Sequence, residues 1–536
     1  MKTPRIYVIF LLALIVCSFL IRLIGWDDPY FGFHIGRKLS TLQSIASYAR
    51  DGVDFLKFKV YWLPNGWQEY PLVELPIYQA LSAWSSIFTK TVLSASRSVN
   101  LCFALLTLLV VFQIAVTQFC RKTATYAALF FAFAPLNLVY QSAVLPDIAS
   151  VFFMSLAYWI LVKYLQGTQS KILFFIFLLA GGYSVLVKPI HFLPVGILLV
   201  THFLQQWRYP RVKNFSNYVV RHRAIIGLFA LITLTMFFWF GGVHPRAVPT
   251  QNVHAVLGPY LYDLNHLYSV AFYARLLYRW FLLVLNPITL SFFLLGILLL
   301  FRDHRGDERM ALIYSIIGYY LFFGYIVTSH EYYVLALVPF GSVIAGRGAV
   351  WIEEKVCSDF KIRSRHVLSA AIILSTAICS VFIFSVNFIA ALDLEQRSMP
   401  IEKEMHGVLE QDEYAYVYVN RLNFSIHHHL VYDRTTKLMY FTGLLSKEQV
   451  RLRSQPLESQ EVLSRLRTHG DVVMVASGLA PEVDVEKIQM KYQGHMRYLI
   501  FYRFTNEANA QIKNKIKSYK LIYESVDWLV FDLASG

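Results

Sequence analysis

The chain has 536 residues, of which 56% are hydrophobic and 16% aromatic. That is too apolar for an ordinary soluble protein and fits a multi-span membrane protein. The net charge of +15 would suit a nucleic-acid partner. The cations cluster in short loops between apolar runs, where membrane topology places them, and this excludes that partner. The five cysteines form no CxxC spacing, so neither a disulfide framework nor a cysteine metal site is indicated.

In chain order, Lys2 and Arg5 precede an apolar run from Ile6 to Leu20. No small-x-small cleavage signature follows it, so it reads as an uncleaved first span rather than a removed signal. Windows of roughly twenty apolar residues then recur near 97–117, 123–143, 147–166, 171–187, 189–206, 223–242, 281–301, 309–328, 331–350 and 367–391. With the first run these make eleven candidate spans. If the N-terminus lies inside, the loops 1–5, 121–122, 163–171, 208–223, 302–309 and 347–365 hold nineteen Lys and Arg. The short outer loops hold four: Lys188, Arg246, Arg275 and Arg279. This bias sets a cytoplasmic N-terminus and an odd span count.

Two segments fall outside. Residues 26–96 form a first outer loop rich in Trp, Tyr, Phe and Pro, in which Ile35 to Arg50 suits a helix lying on the membrane. Residues 395–536 turn polar and carry β-rich runs at Tyr414–Val419, Asp471–Ala476, Arg497–Phe504, Tyr519–Tyr523 and Trp528–Phe531. Helical patterns lie between them at Leu457–Arg467 and Asn509–Lys517. The expected architecture is mainly α: a polytopic helical bundle at 1–394 with interfacial helices in its first outer loop. A small extracytoplasmic α/β domain follows at 395–536.

Charges near lipid are expensive and usually functional. Asp27, Asp28, Glu69, Glu74, Asp147, Lys188 and Glu331 all fall at or just beyond outer span ends. Their common side points to one polar site at the outer membrane surface. Asp147 follows Pro146 at the start of the fourth span, where an N-cap is the plain alternative. Lys188, at a span end, is either an anion binder or a lysine that snorkels to the headgroups. Arg275 and Arg279 share a helical face before the eighth span and read first as interface anchors. His427-His428-His429 is a poor chelate, because neighbours on a strand point to opposite faces.

The first outer loop reads Trp26-Asp27-Asp28-Pro29, then His34-Ile35-Gly36-Arg37, then Glu74-Leu75-Pro76-Ile77-Tyr78. Later come Ala134-Pro135-Leu136-Asn137, Leu145-Pro146-Asp147, Leu186-Val187-Lys188-Pro189 and Ser329-His330-Glu331-Tyr332-Tyr333 with Pro339. In order and side, these segments resemble the type C superfamily of membrane glycosyltransferases. The branch they resemble holds the protein O-mannosyltransferases and the lipid A aminoarabinose transferases. The resemblance covers roughly residues 1–390.

The resemblance implies a glycosyltransferase, hexosyl or pentosyl, in a bacterial plasma (inner) membrane. The donor would be a sugar on a polyprenyl phosphate, and the acceptor a lipid, glycan or protein at the outer leaflet. Such chemistry needs a carboxylate for the acceptor hydroxyl and cations for the departing phosphate. The implied catalytic set is Asp147, Glu74, Asp28 and His34. Either Asp28 or His34 could be the base, because His34-x-x-Arg37 matches the spacing of the family's acidic motif. Arg37, Lys188, Asp27, His330, Glu331 and Tyr332 are the implied substrate-binding residues. No cofactor is indicated; a divalent ion between outer acids is a further candidate that no motif establishes. A flippase, transporter or polymerase of lipid-linked saccharides is the alternative. A transporter would scatter polar residues through mid-membrane, whereas these span interiors are nearly free of charge.

Overall fold

The computed structural model describes residues 4–24, 26, 35–55, 58–62, 66–70, 74–89, 91–208, 215–240, 267–304, 307–359, 365–386, 414–420, 426–433, 438–446, 472–476, 496–502, 520–524 and 528–532. Two compact units emerge. One gathers 1–27, 71–81 and 97–391; the other gathers 28–70, 82–96 and 392–536.

The first unit is helical. Helix α1 (Pro4–Ile21) occupies the first apolar run. In the second unit, α2 (Ile35–Asp51) forms at the expected interfacial segment. A hairpin of β1 (Phe58–Trp62) and β2 (Gly66–Tyr70), not foreseen from the sequence, follows it. Glu69 lies on β2, across from Lys59. Helix α3 (Ile77–Ser85) leads to α4 (Val92–Gln118).

The next apolar window, 123–143, is broken into α5 (Arg121–Ala132) and α6 (Pro135–Tyr140). Pro135 is the cause: it opens the second piece, and Ala134 before it leaves the helical region with ψ 125°. Helices α7 (Asp147–Leu165) and α8 (Lys171–Val187) follow. Lys188 is thrown into an extended conformation, φ −146° and ψ 95°, because Pro189 comes next. A 3-10 turn (Pro189–Phe192) then enters α9 (Leu193–Arg208), followed by α10 (Phe215–Arg221) and α11 (Arg223–Phe238).

Helix α12 (Val270–Arg279) runs into a π turn (Trp280–Val284), and α13 (Pro287–Asp303) leaves it at 112°. The Asn286 side chain accepts from Thr289 N at 2.8 Å, and Pro287 sits at the first helical position. Helix α14 (Ala311–Ser329), a 3-10 stretch (Glu331–Leu337), α15 (Val338–Asp359) and α16 (Arg365–Phe384) complete the unit.

By length and composition, four described helical stretches can cross a membrane: Val92–Gln118, Asp147–Leu165, Glu331–Asp359 and Val367–Phe384. The bent pair at 270–303 would make a fifth. Lys171–Val187 and Arg223–Phe238 are apolar but shorter.

Helix α15 packs against α5 and α13 through a glycine seam. A methyl at Gly348 would strike the Phe292 carbonyl, and one at Gly296 the Ile344 carbonyl. One at Gly346 would lie 2.6 Å from Thr123 O. Lipid tails are as apolar as Leu, so close backbone approach of this kind is what holds membrane helices together.

The second unit carries seven more strands: β3 (Tyr414–Asn420), β4 (Ile426–Asp433), β5 (Leu438–Ser446), β6 (Val472–Ala476), β7 (Met496–Tyr502), β8 (Lys520–Glu524) and β9 (Trp528–Asp532). Strands β3–β4–β5 form an antiparallel sheet. A second sheet runs in the order β6–β7–β9–β8, with β6 and β7 parallel. Helix α2 packs on β1 and β5. The His427–His429 run lies on β4. The helical patterns expected at 457–467 and 509–517 lie outside the described residues.

Candidate active site

Three breaks in apolar helices build the site. At the first, Pro146 ends a turn and α7 begins with Asp147, whose side chain is 0% exposed. Pro146, not Asp147, holds the cap position, and no side chain caps the helix. The N-cap reading of Asp147 therefore fails. Its carboxylate faces Lys188 instead, with Nζ 2.7 Å from Oδ1.

The second break is the pre-proline kink that ends α8 and places Lys188 there, 7% exposed. Snorkelling fails as well, because the ammonium is turned inward. It lies 4.0 Å from the centre of the Tyr333 ring and 4.4 Å from that of Tyr332. Cations are attracted to aromatic faces within about 6 Å. Lys188 thus sits between a carboxylate and two rings.

The third break is His330, extended at φ −131°, from which Glu331 starts the 3-10 stretch carrying Tyr332 and Tyr333. The Tyr140 hydroxyl donates to Glu331 Oε1 at 2.8 Å. The Arg279 guanidinium lies 4.0 Å from Oε2 and donates to the Val327 carbonyl. The His330 and Tyr332 rings stack at 5.6 Å, and Tyr140 meets Tyr332 edge-on at 6.3 Å. Tyr319 OH donates to Tyr333 O at 3.1 Å, which fixes the backbone of the aromatic pair.

Glu74 is buried and accepts from Gln79 Nε2 at 2.9 Å. Leu75 N donates to Leu186 O at 3.0 Å, tying this segment to the chain two residues before Lys188. Arg37 lies on α2 in the second unit and is half-buried. Asp27, Asp28 and His34 lie outside the described residues.

The structure thus brings together Asp147, Lys188, His330, Glu331 and Tyr332 in one aromatic-roofed network. Sequence reasoning missed Tyr140 and Tyr333 as members and read Arg279 as an anchor. Tyr140 closes the Pro135 helix, a segment singled out above, so the signal was present one turn away. For Arg279 the signal was its amphipathic helix, which places it at a span start opposite an acid 52 positions later. Among the described residues no group of three or more His, Cys, Asp or Glu is placed to hold a metal ion.

The model of the dolichyl-phosphate-mannose-protein mannosyltransferase family matches residues 77–239. The chain aligns with ArnT from Cupriavidus metallidurans over 97% of each chain. The TM-score is 0.59 at 11% identity for the apo state, and 0.53 at 13% identity for the structure bound to undecaprenyl phosphate. The apo oligosaccharyltransferase from Archaeoglobus fulgidus aligns at a TM-score of 0.48 and 13% identity, over 96% of this chain and 73% of that one. No curated protein sequence matches the chain. At these identities what is shared is the fold. The chain resembles the type C membrane glycosyltransferases of the protein O-mannosyltransferase and ArnT branch.

Proposed function

We propose that this chain is an integral-membrane glycosyltransferase that moves a sugar from a polyprenyl phosphate to an acceptor at the outer face of the membrane. The observation that carries the reading is the buried Asp147–Lys188 pair, 2.7 Å apart, with the ammonium against the Tyr332 and Tyr333 rings. Removing two charges from water costs several kcal/mol per ion even after relaxation. A membrane protein retains such a pair where the charges have work to do. Further support is the likeness to ArnT, one structure of which holds undecaprenyl phosphate.

In this reading an acceptor oxygen forms a bond to the sugar's anomeric carbon. The bond from that carbon to the phosphate oxygen breaks, and the electron pair stays on the phosphate. The acceptor proton passes to a carboxylate. Lys188 stabilises the departing phosphate, with Arg279 assisting it. Asp147 acts on the acceptor or the sugar, with Glu74 behind it; Asp28 and His34 remain candidates for the base, and Arg37 for phosphate binding. His330, Glu331 and Tyr332 shape the donor side.

The wider proposal has eleven spans in a bacterial inner membrane, a cytoplasmic N-terminus and an extracytoplasmic α/β segment at 395–536. The loop-by-loop cation bias supports it. A reporter fused after Gly536 that is active only in the cytoplasm would overturn this orientation.

The enzymatic test is incubation of the purified protein with candidate polyprenyl-phosphate sugars and acceptors. Release of polyprenyl phosphate that depends on Asp147 is the expected result. Passage of an intact lipid-linked saccharide between leaflets, with no release, would establish the flippase alternative instead.

A further inference from the structure

His191 is a buried imidazole that the mechanism above does not use. It lies in the 3-10 turn after Lys188 and is 0% exposed. Its Nδ1 is 3.0 Å from Ser150 Oγ. Ser150 stands one turn along α7 from Asp147, and its hydroxyl reaches the Ser184 carbonyl at 3.5 Å. That same carbonyl accepts Lys188 N at 2.9 Å, and the Lys188 carbonyl accepts His191 N at 2.9 Å. The contacts close a ring: Asp147 to Ser150 along one helix, Ser150 to His191, His191 to Lys188 through the backbone, and Lys188 back to Asp147.

We infer that His191 is a positioning residue, which clamps the turn bearing Lys188 onto the start of α7 through Ser150 and so fixes the ammonium where the donor phosphate must bind. This deepens the proposed function and rests on it. The tautomer follows from the ring. If the Ser150 hydroxyl donates to Ser184 O, its lone pair accepts from Nδ1–H. Nε2 has no hydrogen-bond partner among the described residues. The clamp therefore runs through Nδ1. A lysine held on a flexible stem loses rotamer freedom when it binds an anion. A backbone fixed beforehand lowers the cost of that ordering.

The test is binding of undecaprenyl phosphate to the purified full-length protein, together with steady-state transfer. His191→Ala and Ser150→Ala should each weaken binding, and raise the donor KM, about tenfold, the equivalent of about 1.4 kcal/mol, with kcat little changed. The double variant should weaken binding no further, because both changes cut the same contact. His191→Asn places an amide donor near the Nδ1 position and should restore affinity; His191→Gln places it near Nε2 and should not. Rescue by Gln rather than Asn, a fall in kcat at unchanged KM, or wild-type binding by Ser150→Ala would each overturn the clamp. Failure of the wild type to bind undecaprenyl phosphate would overturn the functional reading instead. The clamp would then be read from melting temperatures: non-additive losses in the two single and the double variants uphold it, and additive losses overturn it.

Discussion

At the start of α7, Asp147 and Lys188 meet with side chains 0% and 7% exposed. At the far end of α13, Arg302 and Asp303 also meet, at 2.6 Å, but the arginine is 61% exposed; Arg347 joins them at 3.3 Å. Both arrangements are ion pairs at helix ends in the same unit. The second is wet, formed by sequence neighbours, and worth little to stability. The first is dry, joins residues 41 positions apart, and is roofed by aromatic rings. An exposed pair at a span end anchors the helix at the interface. A buried one keeps two charges from water at real cost, so its upkeep needs a reason other than stability.

Breaking the buried pair should have the largest effect. Asp147→Asn should reduce transfer on the order of 10²–10⁴-fold, the usual range for loss of an acid–base group, as measured by polyprenyl phosphate release. It should also lower stability, because Lys188 is left buried without its carboxylate. Removing one partner of such a pair costs about 3–5 kcal/mol. The mild folding effect that a cap residue would show is therefore not expected, and a melting temperature unchanged from wild type would restore the cap reading.

Second in size is the repair. Asp147→Asn combined with Lys188→Met removes both charges and should recover much of the lost stability while transfer stays absent. A double variant less stable than either single one would mean that the pair is a structural strut and the comparison with the wet pairs is misplaced.

An intermediate case sharpens the contrast. Glu353 is buried, 2.9 Å from the Lys122 ammonium, and accepts the Tyr126 hydroxyl at 2.7 Å. Among the described residues no aromatic ring covers Lys122, and its side chain is a quarter exposed. Glu353→Gln should cost about 1–3 kcal/mol, the scale of a charged hydrogen bond, and leave transfer within about twofold. A large loss of transfer would place function at both ends of the bundle.

Smallest of all, Arg347→Gln should move stability by less than about 0.5 kcal/mol, as surface changes usually do. Transfer should be unaffected. A larger shift in the melting temperature would mean that the wet pairs are not simple anchors.

The architecture was legible in the sequence to the extent that hydropathy and proline dictate it. Helices stand where apolar windows predicted them, and Pro135, Pro189 and Pro287 mark breaks. The β-runs expected at 414–419, 471–476, 497–504, 519–523 and 528–531 overlap β3, β6, β7, β8 and β9; β4 and β5 did not announce themselves, because their histidine and glycine content blurs the alternation. Within the site, the rarity of charge in apolar surroundings picked out Asp147, Lys188 and Glu331. Their pairing was not legible. Lys188 had a plausible partner in the headgroups, Asp147 in its own helix, and Arg279 in the interface. Choosing between a local partner and a distant one depends on packing, which no spacing between residues 147 and 188 encodes. His191 was silent for the same reason: its partner Ser150 lies on another helix.

The glycine seam of α15 has a consequence in time rather than in space. Where Gly346 and Gly348 let α15 lie backbone to backbone against α5 and α13, no side chain can rotate aside to admit solvent or lipid. Opening there requires whole helices to part, so backbone amides along this stretch should be the last in the chain to exchange with deuterium. The segments that carry the site are held by side chains across proline breaks rather than by backbone contact, so they can open without parting whole helices and should exchange sooner than the seam. The molecule would then keep two clocks: a slow one in the seam that preserves the frame, and a faster one at the helix breaks that bear the site.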